Sequence, residues 1–330
     1  MLELRSIGEL AGILRTTPRH LYSVADEISS YVHFLELLDP ANPKRKPRIV
    51  LSPTGELRRI QFRLLHDLFR GRLRPTPYSF GGVRGRSAVH NALRHLESRF
   101  VYTTDIQNFF PSISQWRVQQ MLESALGCSA DISRLLARLC TYEGRLAQGL
   151  ITSPILADRA VHRIDVRIAE LCRCHGLLYT RFVDDITVSG SFSFDLKKSG
   201  LVNLIRRILG ECGFWIAQHK EQAGAVADGN VAITGLRIIK GHLDPTADYV
   251  HQLEEQLEAH RKFGQGDQLV GPLFTKQQLR GRVEYVCAIN PNRSYILRQR
   301  FGLIDWIAVE AIALDRGLMV CRKRLIPLKI

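Results

Sequence analysis

Two apolar, β-prone runs flank the acidic pair Asp184–Asp185, and this arrangement constrains the fold more than any other feature of the chain. The runs cover residues 177–183 and 186–189, and two such runs around a short polar step predict a β-hairpin. Upstream, residues 100–106 (FVYTTDI) are rich in aromatic and β-branched side chains and predict a strand with Asp105 at its end. The sequence therefore predicts a strand-ending aspartate and an acidic hairpin turn.

The order of the remaining elements predicts how this sheet is connected. Helices are expected between the first strand and the hairpin, and a further helix and a last strand after it, which gives a split βαβ arrangement of the ferredoxin-like kind. The crossover makes the first and second strands parallel, with the third strand antiparallel between them. Asp105 is thus predicted to lie at the same sheet edge as Asp184–Asp185. The expected helices cover about residues 114–127, 131 onward, 153–176 with Ser153 as cap, and 201–212, and the last strand covers residues 214–217.

Three carboxylates at one sheet edge repel one another unless cations compensate them. Two unit charges about 4 Å apart interact by about 4 kcal/mol at an effective dielectric constant of roughly 20. Carboxylate oxygens favour magnesium or manganese, and two such ions about 3.5–4 Å apart can clamp the attacking and leaving oxygens of an in-line phosphoryl transfer. An Asp–Asp pair also suits a plain turn, so the residues alone leave both interpretations open.

Composition and charge narrow the class of protein. With 45% hydrophobic and 24% charged residues, the 330-residue chain is expected to be globular. No uninterrupted apolar stretch reaches the length of a membrane span, and Glu3 and Arg5 interrupt the apolar core that a signal peptide needs. Seven cysteines without regular spacing fit a reducing cytoplasm, so a cytoplasmic protein is expected. The net charge of +14, heavy in arginine, favours nucleic acid as a partner, with a solvated basic surface as the alternative.

Five short segments follow one another in an order that is typical of one enzyme family. They are NALRH (residues 91–95), YTTDIQNFFPSI (102–113), QGLITSP (148–154), FVDD (182–185) and ITG (233–235). They resemble, in turn, the NAxxH signature of retron enzymes, the first catalytic segment, the QGxxTSP template-and-nucleotide segment and the YxDD hairpin of reverse transcriptases, and the VTG signature of retron enzymes. From about residue 48 to residue 236 the chain thus resembles reverse transcriptases, most closely the bacterial retron reverse transcriptases.

Three of these segments depart from the family pattern. Phe182 stands where tyrosine is usual, which removes a hydroxyl but keeps a ring against the primer end. Leu150 and Ile151 replace the commoner Ala-Pro, and Ile233 replaces valine. None of these changes removes an expected metal ligand.

The resemblance implies an α+β fold of the right-hand polymerase type, with fingers, a ferredoxin-like palm and a helical thumb. Residues 1–99 would form N-terminal helices and fingers. Residues 100–240 would form the palm, which carries the catalytic aspartates and an inserted part of the fingers. Residues 241–330 would form the thumb, where GRVEYVCAINP (residues 281–291) resembles the family's thumb segment.

The resemblance also implies roles for individual residues. Asp105, Asp184 and Asp185 would be the catalytic aspartates, and together with Ile106 they would bind two Mg²⁺ ions, for which Mn²⁺ could substitute. The residues expected to bind the incoming nucleotide are Arg48 on the triphosphate, Phe110 against a ribose 2′-hydroxyl, Gln148 in the pocket, and Lys220 as proton donor to pyrophosphate.

Asn91 and His95 are four positions apart and are expected to share one face of a helix. A buried, hydrogen-bonded histidine is the commoner outcome for such a pair. The resemblance to retron enzymes implies instead that the two residues contact structured RNA.

By resemblance, the chain is an RNA-directed DNA polymerase that copies a cognate structured non-coding RNA with deoxynucleoside triphosphates. It would prime from an internal 2′-hydroxyl, leave a branched RNA–DNA product, and act in anti-phage defence with a separate effector protein. One alternative is another bacterial reverse transcriptase, of the group II intron or diversity-generating type. A different class of function is an RNA-binding scaffold that restrains a toxic effector.

Overall fold

Helices and strands alternate along the chain in the computed structural model, which describes residues 4–37, 47–191, 200–318 and 324–326. A π-helical turn joins α3 to α4, and short 3₁₀ turns lie at residues 28–31, 218–220, 226–228 and 291–293. No helix in these described ranges is both long enough and apolar enough to cross a bilayer. The α-helices are α1 (Ile7–Ile13), α2 (Pro18–Asp26), α3 (Gly55–Arg63), α4 (Arg70–Arg72), α5 (Ala88–Leu93), α6 (Gln115–Leu126), α7 (Ala130–Cys140), α8 (Ser153–Ala160), α9 (His162–Cys174), α10 (Leu201–Glu211), α11 (Ala247–Gly264), α12 (Lys276–Ile289), α13 (Ser294–Gly302) and α14 (Trp306–Asp315). The strands are β1 (Val32–Leu37), β2 (Arg48–Pro53), β3 (Phe100–Asp105), β4 (Leu178–Phe182), β5 (Asp185–Gly190), β6 (Gln222–Ala225), β7 (Leu236–Ile239), β8 (His242–Pro245) and β9 (Arg324–Ile326).

A four-stranded sheet with the order β4-β5-β3-β6 forms the centre of the fold. Strand β5 pairs antiparallel with both β4 and β3, so β3 and β4 run parallel on either side of it. The predicted hairpin and the predicted parallel pair are therefore both present. The register places Asp105 directly opposite Asp185. The smaller sheets are β2-β1-β9 and β7-β8.

The last strand of the central sheet was predicted at residues 214–217, and that prediction is wrong. Strand β6 is the partner of β3. Residues 214–217 form only a single bridge, between Ile216 and Ile106, in which the Gln107 N–H donates to the Trp215 carbonyl at 2.7 Å. The 3₁₀ turn Gln218–Lys220 follows at once and ends this pairing. Only after that turn does the chain form a strand of the central sheet, which is β6.

The long helix predicted from Ser153 to residue 176 is two helices. It breaks at Val161, whose backbone leaves helical geometry (φ −100°, ψ 4°) between α8 and α9. The N-cap is Thr152 rather than Ser153, and proline occupies the first turn. By contrast, α6 begins and ends as predicted, because the Ser114 side chain accepts from a backbone N–H and Gly127 adopts the left-handed conformation (φ 63°).

Three groups of buried apolar side chains hold the chain together. The largest runs from α1 to α10 and includes Leu64, Phe109 and Ile186. A second is formed by the helices α11–α14 and the segments that connect them. A small third group joins α5 to β7 and β8. The first group is continuous across residue 99, and the second is confined to residues 250–313.

A buried ion network fixes the hairpin against the helices behind it. The Arg181 side chain, only 1% exposed, donates to Asp165 at 2.8 Å and to Asp158 at 2.7 Å. It also donates to the backbone carbonyl of Val183 at 2.6 Å, within the hairpin turn. One guanidinium therefore ties α8, α9 and the turn together, and its charge is compensated by two acids.

Replacing Arg181 by alanine would leave the carboxylates of Asp158 and Asp165 buried without their partner. The free energy of unfolding is expected to fall by about 3–5 kcal/mol, because an uncompensated buried charge remains. Denaturant unfolding followed by circular dichroism measures the change. The matched control is Arg173→Ala, since Arg173 is exposed and pairs with Glu170 on the same helix. The control should unfold close to wild type, and equal effects of the two substitutions would contradict the role of the network.

Candidate active site

Three aspartates meet at one edge of the central sheet. Asp105 ends β3 opposite Asp185, and the Ile106 N–H donates to the Asp184 carbonyl at 2.9 Å. The turn between β4 and β5 is tight, with Val183 in the left-handed conformation at φ 59°. A β-branched residue rarely adopts that conformation, so the turn is strained locally and held by its surroundings.

The segment of residues 78–81 lies beside β4 and forms part of these surroundings. The Phe80 N–H donates to the Arg181 carbonyl, and the Arg181 N–H donates to the Tyr78 carbonyl, both at 2.8 Å. A Cβ on Gly81 would lie 2.3 Å from the Val183 nitrogen, so only glycine permits this approach. The segment and Arg181 together clamp the hairpin turn from behind.

Sequence reasoning missed both Gly81 and Arg181. For Arg181 one indication was present: Asp158 and Asp165 share one face of the predicted helix beside its apolar residues, and buried acids require a cationic partner. For Gly81 the sequence offers only a glycine-rich turn, since its contact depends on a hairpin about a hundred residues later.

Burial and mutual proximity shift the pKa values of the three acids in different directions. Burial raises the pKa of Asp185 to about 8, and its hydrogen bond to Asp105 and the charges of Asp105 and Asp184 add to this. Burial also raises the pKa of Asp184. For Asp105 burial acts upward, but the hydrogen bond from Asp185 and the ammonium of Lys220 bring its pKa below the ordinary value. Lys220 forms an ion pair with Asp105, so one cation of the protein partly compensates the charge of the three carboxyl groups.

This arrangement bears on metal binding. Among the described residues, no three or more His, Cys, Asp or Glu side chains are already grouped as ligands for a metal ion. Asp105 is engaged by Lys220 and by Asp185 instead. The donor set nevertheless fits a divalent cation, because clustered carboxylate oxygens are the ligands that Mg²⁺ prefers and their mutual repulsion calls for positive charge.

A cleft of about 950 Å³ opens at this sheet edge. Its lining includes all four residues predicted to bind the nucleotide, together with Asp184, Asp185 and Ile106. Because the side chain of Ile106 carries no donor atom, only its backbone carbonyl could bind a metal. The four residues are Arg48, Phe110, Gln148 and Lys220.

Close backbone packing builds the wall of the cleft opposite the aspartates. The Leu51 N–H donates to the Gln148 carbonyl at 2.8 Å, which fixes the QG segment against β2. Gly149 has φ 104°, and a Cβ there would lie 2.1 Å from the Leu51 carbonyl oxygen. Glycine is therefore required beside Gln148. The same contact brings Gln148 and the exposed Arg48 to one wall.

Two aromatic rings shape the floor. Phe110 is half-buried and packs edge-on against the buried Phe109, with ring centroids 5.5 Å apart. Phe182, at the position where tyrosine is usual in the family that the sequence resembles, is also half-buried and lines the cleft. The ring is retained there without its hydroxyl.

The structure places Asn91 and His95 differently from the expected RNA-facing helix surface. Helix α5 ends at Leu93, and both side chains are fully buried. The two ring nitrogens of His95 are hydrogen-bonded to Ser189 at 2.6 Å and to Thr180 at 2.7 Å. Burial, with the nearby charge of Arg94, lowers the pKa of His95 to about 3, so the imidazole is neutral. His95 therefore braces the hairpin strands from within, as the alternative of a buried, hydrogen-bonded histidine predicts.

Comparison with known proteins identifies the family to which this chain belongs. Residues 43–251 match the family described as reverse transcriptase (RNA-dependent DNA polymerase). The retron Ec86 reverse transcriptase of Escherichia coli is 30% identical over 189 residues, which cover 57% of this chain and 57% of that protein. The retron Mx65 reverse transcriptase of Myxococcus xanthus is 30% identical over 322 residues, which cover 89% of this chain and 69% of that protein.

The chain spans only part of several relatives, for example 62% of the retron Se72 reverse transcriptase of Salmonella heidelberg, at 26% identity over 245 residues. Among solved structures, telomerase from Candida albicans in complex with a fragment of telomeric RNA is similar, with a TM-score of 0.48 and 10% identity over 90% of this chain and 59% of that one. The family match extends over more than half of the chain and contains all three clustered aspartates. The chain therefore belongs to the reverse transcriptase (RNA-dependent DNA polymerase) family, which implies the right-hand polymerase fold, and within that family to the bacterial retron type.

Proposed function

We propose that this chain is an RNA-directed DNA polymerase that joins deoxynucleotides by two-metal-ion nucleotidyl transfer. The observation that carries the proposal is the convergence of Asp105, Asp184 and Asp185 at one sheet edge, where Asp184 and Asp185 line a large cleft. The opposite wall of that cleft presents an arginine and a glutamine, as recognition of a nucleoside triphosphate requires.

The aspartates, with the Ile106 carbonyl, are the proposed ligands of two Mg²⁺ ions, for which Mn²⁺ could substitute. Bound there, the ions would activate the primer hydroxyl and stabilise the charge that develops on pyrophosphate. The clamp formed by Arg181 and Gly81 holds Asp184 and Asp185 in place for this task.

The remaining cleft residues have distinct proposed roles. The Arg48 guanidinium would bind the triphosphate in a bidentate manner, and Gln148 would line the nucleotide pocket. The ring of Phe110 would occupy the space that a ribose 2′-hydroxyl needs. Lys220 would leave Asp105 when cations bind there, and its ammonium could then donate a proton to the departing pyrophosphate.

The family's hand-like division is proposed for the rest of the chain. Residues 1–99 would form N-terminal helices and fingers, and residues 100–240 the palm with part of the fingers inserted. Residues 241–330 would form the thumb, and the separate apolar core of α11–α14 supports that division. A basic thumb would hold a duplex by its backbone and shape rather than by its base edges.

The proposed template is a cognate structured non-coding RNA, and the proposed product is a branched RNA–DNA molecule primed from an internal 2′-hydroxyl. Similarity to proteins that are named retron reverse transcriptases supports this part of the proposal. A role in anti-phage defence with a separate effector protein belongs to the same proposal.

Asp185→Asn tests the metal-ligand role. We expect DNA synthesis on a primed RNA template with Mg²⁺ to fall about a thousandfold or more, because a lost ligand removes several kcal/mol of transition-state stabilisation. The asparagine amide can still donate to Asp105, so folding should persist. Mg²⁺ should also raise the melting temperature of wild type more than that of the variant. Asp131→Asn, at a position with 74% exposure, is the control. Wild-type synthesis by Asp185→Asn would refute the proposal.

Phe110→Ala tests selection of the sugar. The smaller side chain is expected to let ribonucleotides enter, and to raise their incorporation relative to deoxynucleotides by about 10- to 200-fold, the range typical of small steric differences in a pocket. Single-nucleotide extension with each triphosphate gives the ratio of kcat/KM values. Phe62→Ala is the matched control, because Phe62 is 54% exposed and lies outside the cleft lining. An unchanged ratio for Phe110→Ala would exclude this role.

A further inference from the structure

A second cavity, of about 360 Å³, lies apart from the catalytic cleft, and three of its seven lining residues are arginines. It is enclosed by the end of α4, the end of α6 and the junction of α8 and α9. None of its lining residues belongs to the lining of the catalytic cleft. Arg72, Arg74, Arg159 and His162 supply its polar groups, while Ala125 and Leu126 form an apolar wall.

Within the described ranges, none of these four side chains donates a hydrogen bond to the protein or forms an ion pair. Arg74 is exposed to solvent, and the other three are partly buried. The Nη1 atom of Arg72 and the Nδ1 atom of His162 are buried and unpaired. Buried polar atoms are nearly always satisfied, so each such atom calls for an explanation.

Nearby acids do not supply the missing partners. Asp158 and Asp165 are close enough to influence His162, but both are bound by the buried Arg181. Burial and the charge of Arg159 together lower the pKa of His162. Three guanidinium groups around one cavity repel one another, and an anionic ligand would offset that repulsion by binding to them together.

The position of the cavity indicates which anion would bind there. Helix α8 begins at Ser153, directly after the Gln148–Gly149 wall of the catalytic cleft, and Arg159 lies near its other end. The eight residues of α8 span about 12 Å at 1.5 Å per residue. At about 3.4 Å per nucleotide, a stacked strand covers that length in about four nucleotides. A nucleic-acid strand leaving the cleft along α8 would thus bring a phosphate to the cavity.

We propose that this cavity binds a backbone phosphate of the RNA, a few nucleotides away from the catalytic position. The inference rests on the proposed function for the identity of its ligand, but not for the existence of an anion site. Guanidinium groups bind phosphate oxygens in pairs and do so independently of base sequence. The site therefore positions the RNA and contributes affinity without reading its sequence.

The test compares two double variants that remove equal charge. Arg74→Gln/Arg159→Gln alters the cavity, and Arg19→Gln/Arg207→Gln removes two exposed arginines elsewhere. Binding of a fluorescein-labelled RNA hairpin with a single-stranded tail is measured by anisotropy over a series of salt concentrations. The cavity variant should bind more weakly, and its slope of log K against log salt should be shallower by about 1 for each phosphate that it no longer binds. The control should stay closer to wild type.

The weakening should be similar for hairpins of unrelated sequence, since phosphate groups carry no base information. Equal salt slopes for the two double variants would overturn the inference. The measurement needs no DNA synthesis, so it stands or falls separately from the polymerase assay with Asp185→Asn.

Thermal unfolding without RNA completes the test. The cavity variant should melt no lower than wild type, because the two substitutions break no internal hydrogen bond or ion pair. A clearly lower melting temperature would assign the arginines a structural role and overturn the inference. Inorganic phosphate and dATP serve as small-anion probes. If either one stabilises wild type while the two double variants bind RNA equally, the cavity is a site for free anions, and the RNA assignment is wrong.

Discussion

The geometry of the candidate active site depends on one buried charge. Arg181 donates to Asp158 and Asp165 on two helices and to the Val183 carbonyl inside the hairpin turn. Because water is excluded there, the guanidinium has no alternative partners, and the turn cannot move without breaking a charge-assisted hydrogen bond. The strained backbone of Val183 is stable only in this setting. The position of the two acids that follow is thus decided by side chains behind the sheet.

Asp184 and Asp185 are held beside Asp105, so the negative charges of three carboxylates repel one another at this sheet edge. The ammonium of Lys220 pairs with Asp105 and partly compensates the cluster. Divalent cations would compete with this ammonium for the same oxygens. The ammonium of Lys220 lies in the cleft beside Asp105.

The sequence predicted those features that follow from local pattern and general topology. The β-prone runs around Asp184–Asp185 predicted the hairpin, and the crossover rule predicted the parallel strands on which the meeting of the aspartates depends. Prediction failed where contacts between residues far apart in the sequence determine the structure. Residues 214–217 have strand character, yet the 3₁₀ turn that follows them ends the pairing. The fit of Gly81 against Val183 and the burial of His95 leave no periodic pattern, because their partners lie 85 or more residues away.

The chain uses arginine in two opposite ways, and the contrast gives its basic composition a physical meaning. Arg181 is buried and fully paired, so its charge stabilises a fixed geometry and is not available to a ligand. Arg72, Arg74 and Arg159 line a cavity and form no ion pair among the described residues, so their charge is available to a ligand. A net charge of +14 would be consistent with either use. Pairing, rather than the number of arginines, separates the part of the charge that holds the fold from the part that can hold a polyanion.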